Sequence, residues 1–188
     1  MPNQPTLTTG RLTLRPFIAD DAFDIERLAG RREIADTTLT IPHPYPHGAA
    51  AEWILTHAPA WEAGTTATFA IVETASSRLV GVASLMLNRE HRRGELGYWI
   101  ALDRWNQGYA TESNQCLMDF GFEVLALHRI EARHFLRNPA SGRVMQKLGM
   151  RHEGIERDWA LKGDHYESLA VYSILEEEWR LTRRAARP

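Results

Sequence analysis

A glycine turn between an apolar strand and a long helical stretch constrains this chain more than any other feature. The segment Arg104-Trp105-Asn106-Gln107-Gly108-Tyr109-Ala110-Thr111-Glu112 follows a strand expected to end near Ala101 and leads into a helix expected from Ala110 to Leu125. The first N–H groups of a helix have no partner inside it, and the aligned peptide dipoles add about half a positive charge there. Such a terminus after a strand is suited to an anion. Gly108 and Ala110 are small enough for a diphosphate to approach the backbone. A plain strand-to-helix turn accounts for the same residues, so the loop alone leaves both readings open. The loop fits neither the Walker pattern nor the dinucleotide glycine fingerprint, which argues against nucleoside triphosphates and NAD.

The rest of the pattern alternates strands and helices. Arg11-Leu12-Thr13-Leu14-Arg15 has period two and ends at Pro16. Asp20 and Asp21 open a helical stretch whose apolar residues are Phe23, Ile25 and Leu28. Three prolines make residues 41–47 a loop. Ala49 to Ala63 reads as one helix carrying Trp53, Ile54 and Trp61. Strands are expected at Thr68 to Glu73, Leu79 to Leu87, Glu95 to Ala101 and Ile130 to Phe135, the first two as a hairpin. The Ala110 helix is expected to turn Ala110, Leu117, Met118, Gly121, Val124 and Leu125 to one side. Asn138, Pro139 and Gly149 punctuate a compact helix as cap, first residue and stop. Arg151 to Leu161 and His165 to Leu175 form a closing hairpin, and Glu176 to Arg184 a last helix. This order implies a mixed α/β layer with helices on a sheet.

Composition sets the class. The 188 residues suit one domain over 1–188, and 44% hydrophobic with 24% charged residues is an ordinary globular balance. A net charge of -2 offers no bulk attraction to nucleic acid or acidic membranes. The lone Cys116 excludes an internal disulfide and a multi-cysteine zinc site, and no apolar run approaches the ~18 residues of a membrane helix. Residues 1–10 lack a secretory pattern, so a cytoplasmic location is expected.

Three blocks together resemble the GNAT superfamily of N-acetyltransferases: Gly94-Glu95-Leu96-Gly97-Tyr98-Trp99-Ile100, the Gly108 loop, and Asn138-Pro139-Ala140-Ser141 running to Lys147-Leu148-Gly149-Met150. They look most like its ribosomal-protein-alanine acetyltransferase branch, over nearly the whole chain. The resemblance implies a mostly antiparallel sheet of about seven strands, splayed at a cofactor site, with helices on both faces. It implies acetyl-coenzyme A as cosubstrate. Asn106, Gln107, Gly108, Tyr109, Ala110 and Thr111 would meet its pyrophosphate. Trp99, Ile100 and Ala101 would pair with the pantetheine arm as with a strand, and Asn138 would bond that arm beside its capping role. Trp105 replaces the Gln or Arg of many members, as in this branch. Met145 stands where many members have a proton-donating tyrosine, and a thioether has no proton to give.

The implied reaction is direct attack of an amine in a ternary complex. Ser141 is the candidate acid for the thiolate, although an ordinary first-turn serine reads the same. Glu95, on one strand face with Gly97 and Trp99, is the candidate base acting through water, against the alternative of a solvated carboxylate. An α-amine (pKa ~7.7–8.0) is roughly a tenth neutral at pH 7 and a lysine amine (~10.4) under ~0.1%, so a weak base favours a protein N-terminus. A small amine such as an antibiotic or polyamine is the second reading, and a non-catalytic acyl-coenzyme A binder the third. Glu112 is expected to support its helix N-terminus, and Cys116 to pack rather than carry acetyl. His43 and His47 lack a third metal ligand, so no metal is expected. The 41–47 loop, His165 and Tyr166 are candidates for the acceptor side. Arg180, Arg183, Arg184 and Arg187 read as a solvated basic end. A homodimer is left open on symmetry grounds.

Overall fold

The computed structural model describes residues 3–185, with side chains through 183. The chain runs β1 (Leu7–Thr8), β2 (Leu12–Arg15), α1 (Asp21–Ala29), α2 (Arg32–Thr37), α3 (Ala49–Leu55), α4 (His57–Ala63), β3 (Thr66–Glu73), β4 (Arg78–Asn88) and β5 (Arg93–Ile100). A 3-10 turn, Leu102–Arg104, then leads to α5 (Tyr109–Glu123), β6 (Arg129–Phe135), α6 (Pro139–Lys147), β7 (Arg151–Lys162), β8 (His165–Leu175) and α7 (Glu176–Ala185). No helix among the described residues is long and apolar enough to cross a membrane.

The eight strands form one sheet in the order β1-β2-β3-β4-β5-β6-β8-β7. The eighth, against about seven expected, is the two-residue β1. Its Leu7 and Thr8 pair with Leu14 and Thr13, and two residues are too few to leave a periodic signal. Every pairing is antiparallel except β5 with β6, which α5 connects as a crossover. That parallel pairing covers only Arg93–Leu96 against Arg129–Ala132. Beyond it, β5 stays with β4 and β6 stays with β8, so the two arms part.

Both sheet faces are covered by helices. On one, Leu14, Phe69, Ile71, Leu85, Ile100 and Ile130 lie under α5, α6 and α7. On the other, Ala70, Val72, Val82 and Trp99 lie under α1, α2 and α3. Consecutive β3 residues thus serve opposite faces, which is why that strand is buried through its length. Each fully buried leucine- or phenylalanine-sized side chain contributes about 1.5–3 kcal/mol. Gly121 lets α5 settle onto the sheet: a Cβ there would stand 2.9 Å from Ile130 Cδ1 and 3.1 Å from Leu85 Cδ1.

The structure differs from the local reading at four places. Phe23, grouped with Ile25 and Leu28 as an apolar residue of the first helix, is 75% exposed. The buried line of α1 is Asp21, Ile25 and Ala29, set by Asp21 accepting two 2.7 Å bonds from Arg15, and Phe23 falls opposite. The helix expected over Ala49 to Ala63 is two helices. Pro59 has no N–H for Leu55 and its ring would meet that carbonyl, so α4 starts afresh at His57 with Pro59 in its first turn. α2 was not expected at all. Val124 lies just past α5 and is exposed.

At the basic end, Arg180 pairs with Glu176 at 2.7 Å and Arg183 with Asp119. The Arg184 side chain and Arg187 lie outside the described residues.

His57 is buried between Phe17 and Trp53, with ring centroids 5.0 and 4.3 Å away, and neither ring nitrogen has a hydrogen-bond partner. Burial pushes its pKa down to about 4. The unfolded chain therefore binds a proton between pH 6.5 and about 4 that the folded chain refuses, and stability falls as pH drops through that window. His57→Leu should remove this loss, on the order of 3 kcal/mol. Denaturant unfolding at steps from pH 7.5 to 4 checks it. Identical pH dependence in both proteins would contradict a neutral buried imidazole.

Candidate functional site

The parting of β5 from β6 creates the site. In the β4–β5 ladder, successive residues direct their backbone groups to opposite sides. Ala101 donates its N–H to the Val80 carbonyl at 2.8 Å. By the same alternation Trp99 also faces β4, whereas Tyr98 and Ile100 face the opening. Of the three residues expected to pair with a strand-like ligand, then, only Ile100 presents backbone groups there. Tyr98, which the sequence reasoning passed over, is the second. The Ile100 carbonyl already accepts the Trp105 indole N–H at 2.7 Å, leaving the Ile100 N–H and both Tyr98 groups.

Two helices begin at the mouth of this opening, α5 after β5 and α6 after β6. In open sheets, ligands settle beyond the carboxyl ends of parallel strands where the chain order reverses. Gly108 precedes α5 at φ 83°, and Asn106 is also left-handed at φ 60°. The first α5 bond runs from the Glu112 N–H to the Gly108 carbonyl at 3.0 Å, so the N–H groups of Tyr109, Ala110 and Thr111 have no partner within the helix. Cross-braces hold the loop in this shape. Gln107 Nε2 donates to the Asp103 carbonyl at 2.9 Å, Arg11 Nη1 to the Gln107 carbonyl at 3.1 Å, and the Tyr109 hydroxyl to Glu73 at 2.5 Å. Glu112 is part of the bracing. It accepts from Thr9 at 2.6 Å and from Arg11 Nε at 2.7 Å; burial opposes its charge, but these bonds outweigh burial and lower its pKa.

Asn138 caps α6 by accepting the Ser141 N–H on Oδ1 at 3.3 Å. The cap uses the amide oxygen, so its NH2 group can still donate to a ligand carbonyl. Ser141 Oγ is 2.7 Å from the Tyr98 hydroxyl, a contact that joins β5 to α6. Met145 is fully buried in the core beneath α6.

Glu95 is on the opposite face of β5 from Tyr98, and hence from Ser141. It does not stand free: Oε1 is 3.1 Å from Arg133 Nη1, and Arg133 also holds Glu131 at 3.2 Å and Glu156 at 3.0 Å. Burial works against the Arg133 cation, yet the carboxylates raise its pKa. The closing hairpin reaches across to the α2 end, where Lys162 Nζ donates to the Thr38 carbonyl at 2.7 Å. His165 pairs with Asp164 and Glu167, and Tyr166 is exposed. His43 bonds the Gly30 carbonyl at 3.0 Å and His47 bonds Glu26 at 3.2 Å, separate partners that do not converge. Cys116 is half-buried, its thiol pushed up to about 11 by burial and then by Asp119, so it stays protonated at neutral pH.

Residues 11–151 match the family model described as an acetyltransferase (GNAT) domain. This chain belongs to the GNAT acetyltransferase family. Members of that family take acetyl from acetyl-coenzyme A. The uncharacterized N-acetyltransferase YoaA of Bacillus subtilis (strain 168) is 30% identical over 91% of this chain and 97% of its own. YnaD of the same organism, also an uncharacterized N-acetyltransferase, is 41% identical over 45% of this chain, which spans only 50% of YnaD. Further off are YdaF of B. subtilis, whose name assigns it provisionally to ribosomal N-acetylation (33%, 54% of this chain, 56% of YdaF), and a Vibrio cholerae spermidine N(1)-acetyltransferase (26%, 55% and 61%). A structure titled RimL, a ribosomal L7/L12 α-N-protein acetyltransferase in complex with coenzyme A, superposes with TM-score 0.84 at 15% identity over 91% of this chain and 98% of that one. At that identity the likeness is one of GNAT fold.

A Cβ on Gly108 would add strain at φ 83° and stand 3.4 Å from Nη2 of Arg11, the guanidinium that braces this loop through the Gln107 carbonyl and Glu112. Gly108→Val should weaken coenzyme A binding at least tenfold by calorimetry and lower stability by about 1–3 kcal/mol. Unchanged affinity would remove this loop from cofactor binding.

Proposed function

We propose that this chain transfers acetyl from acetyl-coenzyme A to a primary amine by direct attack in a ternary complex, with a protein N-terminal α-amine as the favoured acceptor. The observation that carries the reading is the opening between β5 and β6, where outward-facing Tyr98 and Ile100 groups lie between two helix N-termini. A pantetheine arm has amides spaced for strand-like pairing, and a pyrophosphate suits the N–H groups of Tyr109 to Thr111. Asn138 Nδ2 is available to an arm carbonyl. A protonated thiol at Cys116 speaks for direct attack over an acetyl-cysteine.

The two sheet faces divide the chemistry. On the α5–α6 face, the Ser141 hydroxyl gives its proton to the departing thiolate. On the other, Glu95 takes the amine proton through water. Backbone N–H groups lining the opening supply the donor for the oxyanion. Because Glu95 also holds Arg133, it is suited to an amine that is already partly neutral, and an α-amine is roughly a tenth neutral at pH 7. A polyamine is the second reading. Glu95, Glu131 and Glu156 converge on one guanidinium, an acidic surround for a second cationic nitrogen, and one relative is named for spermidine.

Thiol release with a peptide α-amine, an internal lysine and spermidine separates these acceptors. The α-amine peptide should react fastest; a strong lysine or spermidine preference would overturn that choice, and tight coenzyme A binding with no turnover on any amine would favour a non-catalytic binder. Ser141→Ala should lower kcat by 10²-fold or less while coenzyme A affinity stays within about twofold, and Glu95→Gln should lower it by about 10²–10⁴-fold. Full-rate variants would remove these residues from the mechanism.

A further inference from the structure

Tyr98 touches the assigned acid. Its hydroxyl lies 2.7 Å from Ser141 Oγ and 3.4 Å from the Ser141 carbonyl. Its ring is held on the α5–α6 face of β5, packed against the core that contains Leu96 and Ile100. Burial pushes the phenol up to about 12, so a hydrogen is present on it throughout the neutral range. A phenol is also more acidic than an aliphatic alcohol. Between the two hydroxyls, the stronger bond therefore has Tyr98 donating and Ser141 Oγ accepting.

That direction matters because serine has one hydrogen to give. If Ser141 donated to Tyr98, nothing would remain for a leaving group. With Tyr98 donating, the Ser141 hydrogen is released toward the opening, and the backbone there is fixed: Asn138 holds the Ser141 N–H through both its side-chain and main-chain oxygens. We infer that Tyr98 is a positioning residue that orients the Ser141 hydroxyl so that its proton faces a thiolate leaving through the β5–β6 opening. As the amine nitrogen bonds to the carbonyl carbon, the carbon–sulfur bond breaks and its electron pair leaves on sulfur. Sulfur takes the Ser141 proton, the Tyr98 bond supports the serine oxygen at that moment, and the amine proton taken up by Glu95 is afterwards returned through water to Ser141. Overall, one amine proton ends on the thiol.

The inference rests on the acetyl-transfer reading. Tyr98→Phe keeps the ring and its packing and removes only the hydroxyl. It should lower kcat about tenfold, the size of one well-placed hydrogen bond, with the KM for acetyl-coenzyme A within twofold. Added to Ser141→Ala it should cost nothing further, since the hydroxyl it orients is already gone. A contact that merely ties β5 to α6 would instead shift the melting temperature or KM and act regardless of residue 141. Tyr98→Phe at full rate, Ser141→Ala at full rate, or losses that multiply in the double variant would each overturn the role of Tyr98 and leave acetyl transfer standing. A wild-type protein that releases no thiol with any amine would overturn both.

Discussion

The point at which β5 stops pairing with β6 governs this molecule. Past Leu96 and Ala132, each strand keeps its outer neighbour and loses its inner one. A gap inside a sheet would ordinarily be costly, because buried N–H and C=O groups without partners lose the hydrogen bonds that water gave them. Here part of the cost is met internally, by the Trp105 indole on the Ile100 carbonyl. The rest suits a guest with amides at strand spacing. Trp105 therefore does more than replace a polar residue at the head of the loop: it limits which edge groups a guest can use, and so its register.

The same gap joins the two faces of the sheet. Period-two alternation puts Tyr98 with the α5–α6 layer and Glu95 with the other layer, three residues apart on one strand. In the proposed reaction, proton removal from an amine and proton delivery to a thiolate then proceed from opposite sides of the reacting carbon. A continuous sheet would wall these groups off from each other. The tight seat of α5 over Gly121 and the cap on α6 keep the second layer in place while the strands part.

What was legible in the sequence follows the range of the forces involved. The α6 boundaries rest on Asn138, Pro139 and Gly149, whose effects act within a turn, and the helix runs where they place it. Gly108 likewise acts through its own φ. Long-range pairs were invisible. Arg15 turning Asp21 inward leaves Phe23 on the exposed side of α1, and Arg133, which holds Glu131 of its own strand and Glu156 of β7, makes Glu95 a shared carboxylate instead of a free one. The break before His57 was legible in Pro59, whose missing N–H leaves no helix bond for the Leu55 carbonyl. Tyr98 carried a weaker signal, a hydroxyl amid Leu96 and Ile100, whose meaning depends on α6 arriving beside it.

In the proposed reaction, the face of β5 that carries Glu95 holds a tension that bears on specificity. Glu95, Glu131, Glu153 and Glu156 share two guanidiniums, Arg133 and Arg129, so the cluster keeps an excess of carboxylates that attracts an incoming ammonium. Yet attraction stabilises the charged form of the amine, and only the neutral form attacks. A lysine, already charged at neutral pH, would be held more firmly in its unreactive state. An α-amine starts within about a unit of neutrality, so the same field can draw it in without suppressing the reactive form as completely. A polyamine escapes the conflict differently, by leaving one nitrogen with the carboxylates while another reacts. The spacing between Arg133 and the β5–β6 opening thus sets whether one nitrogen must do both jobs.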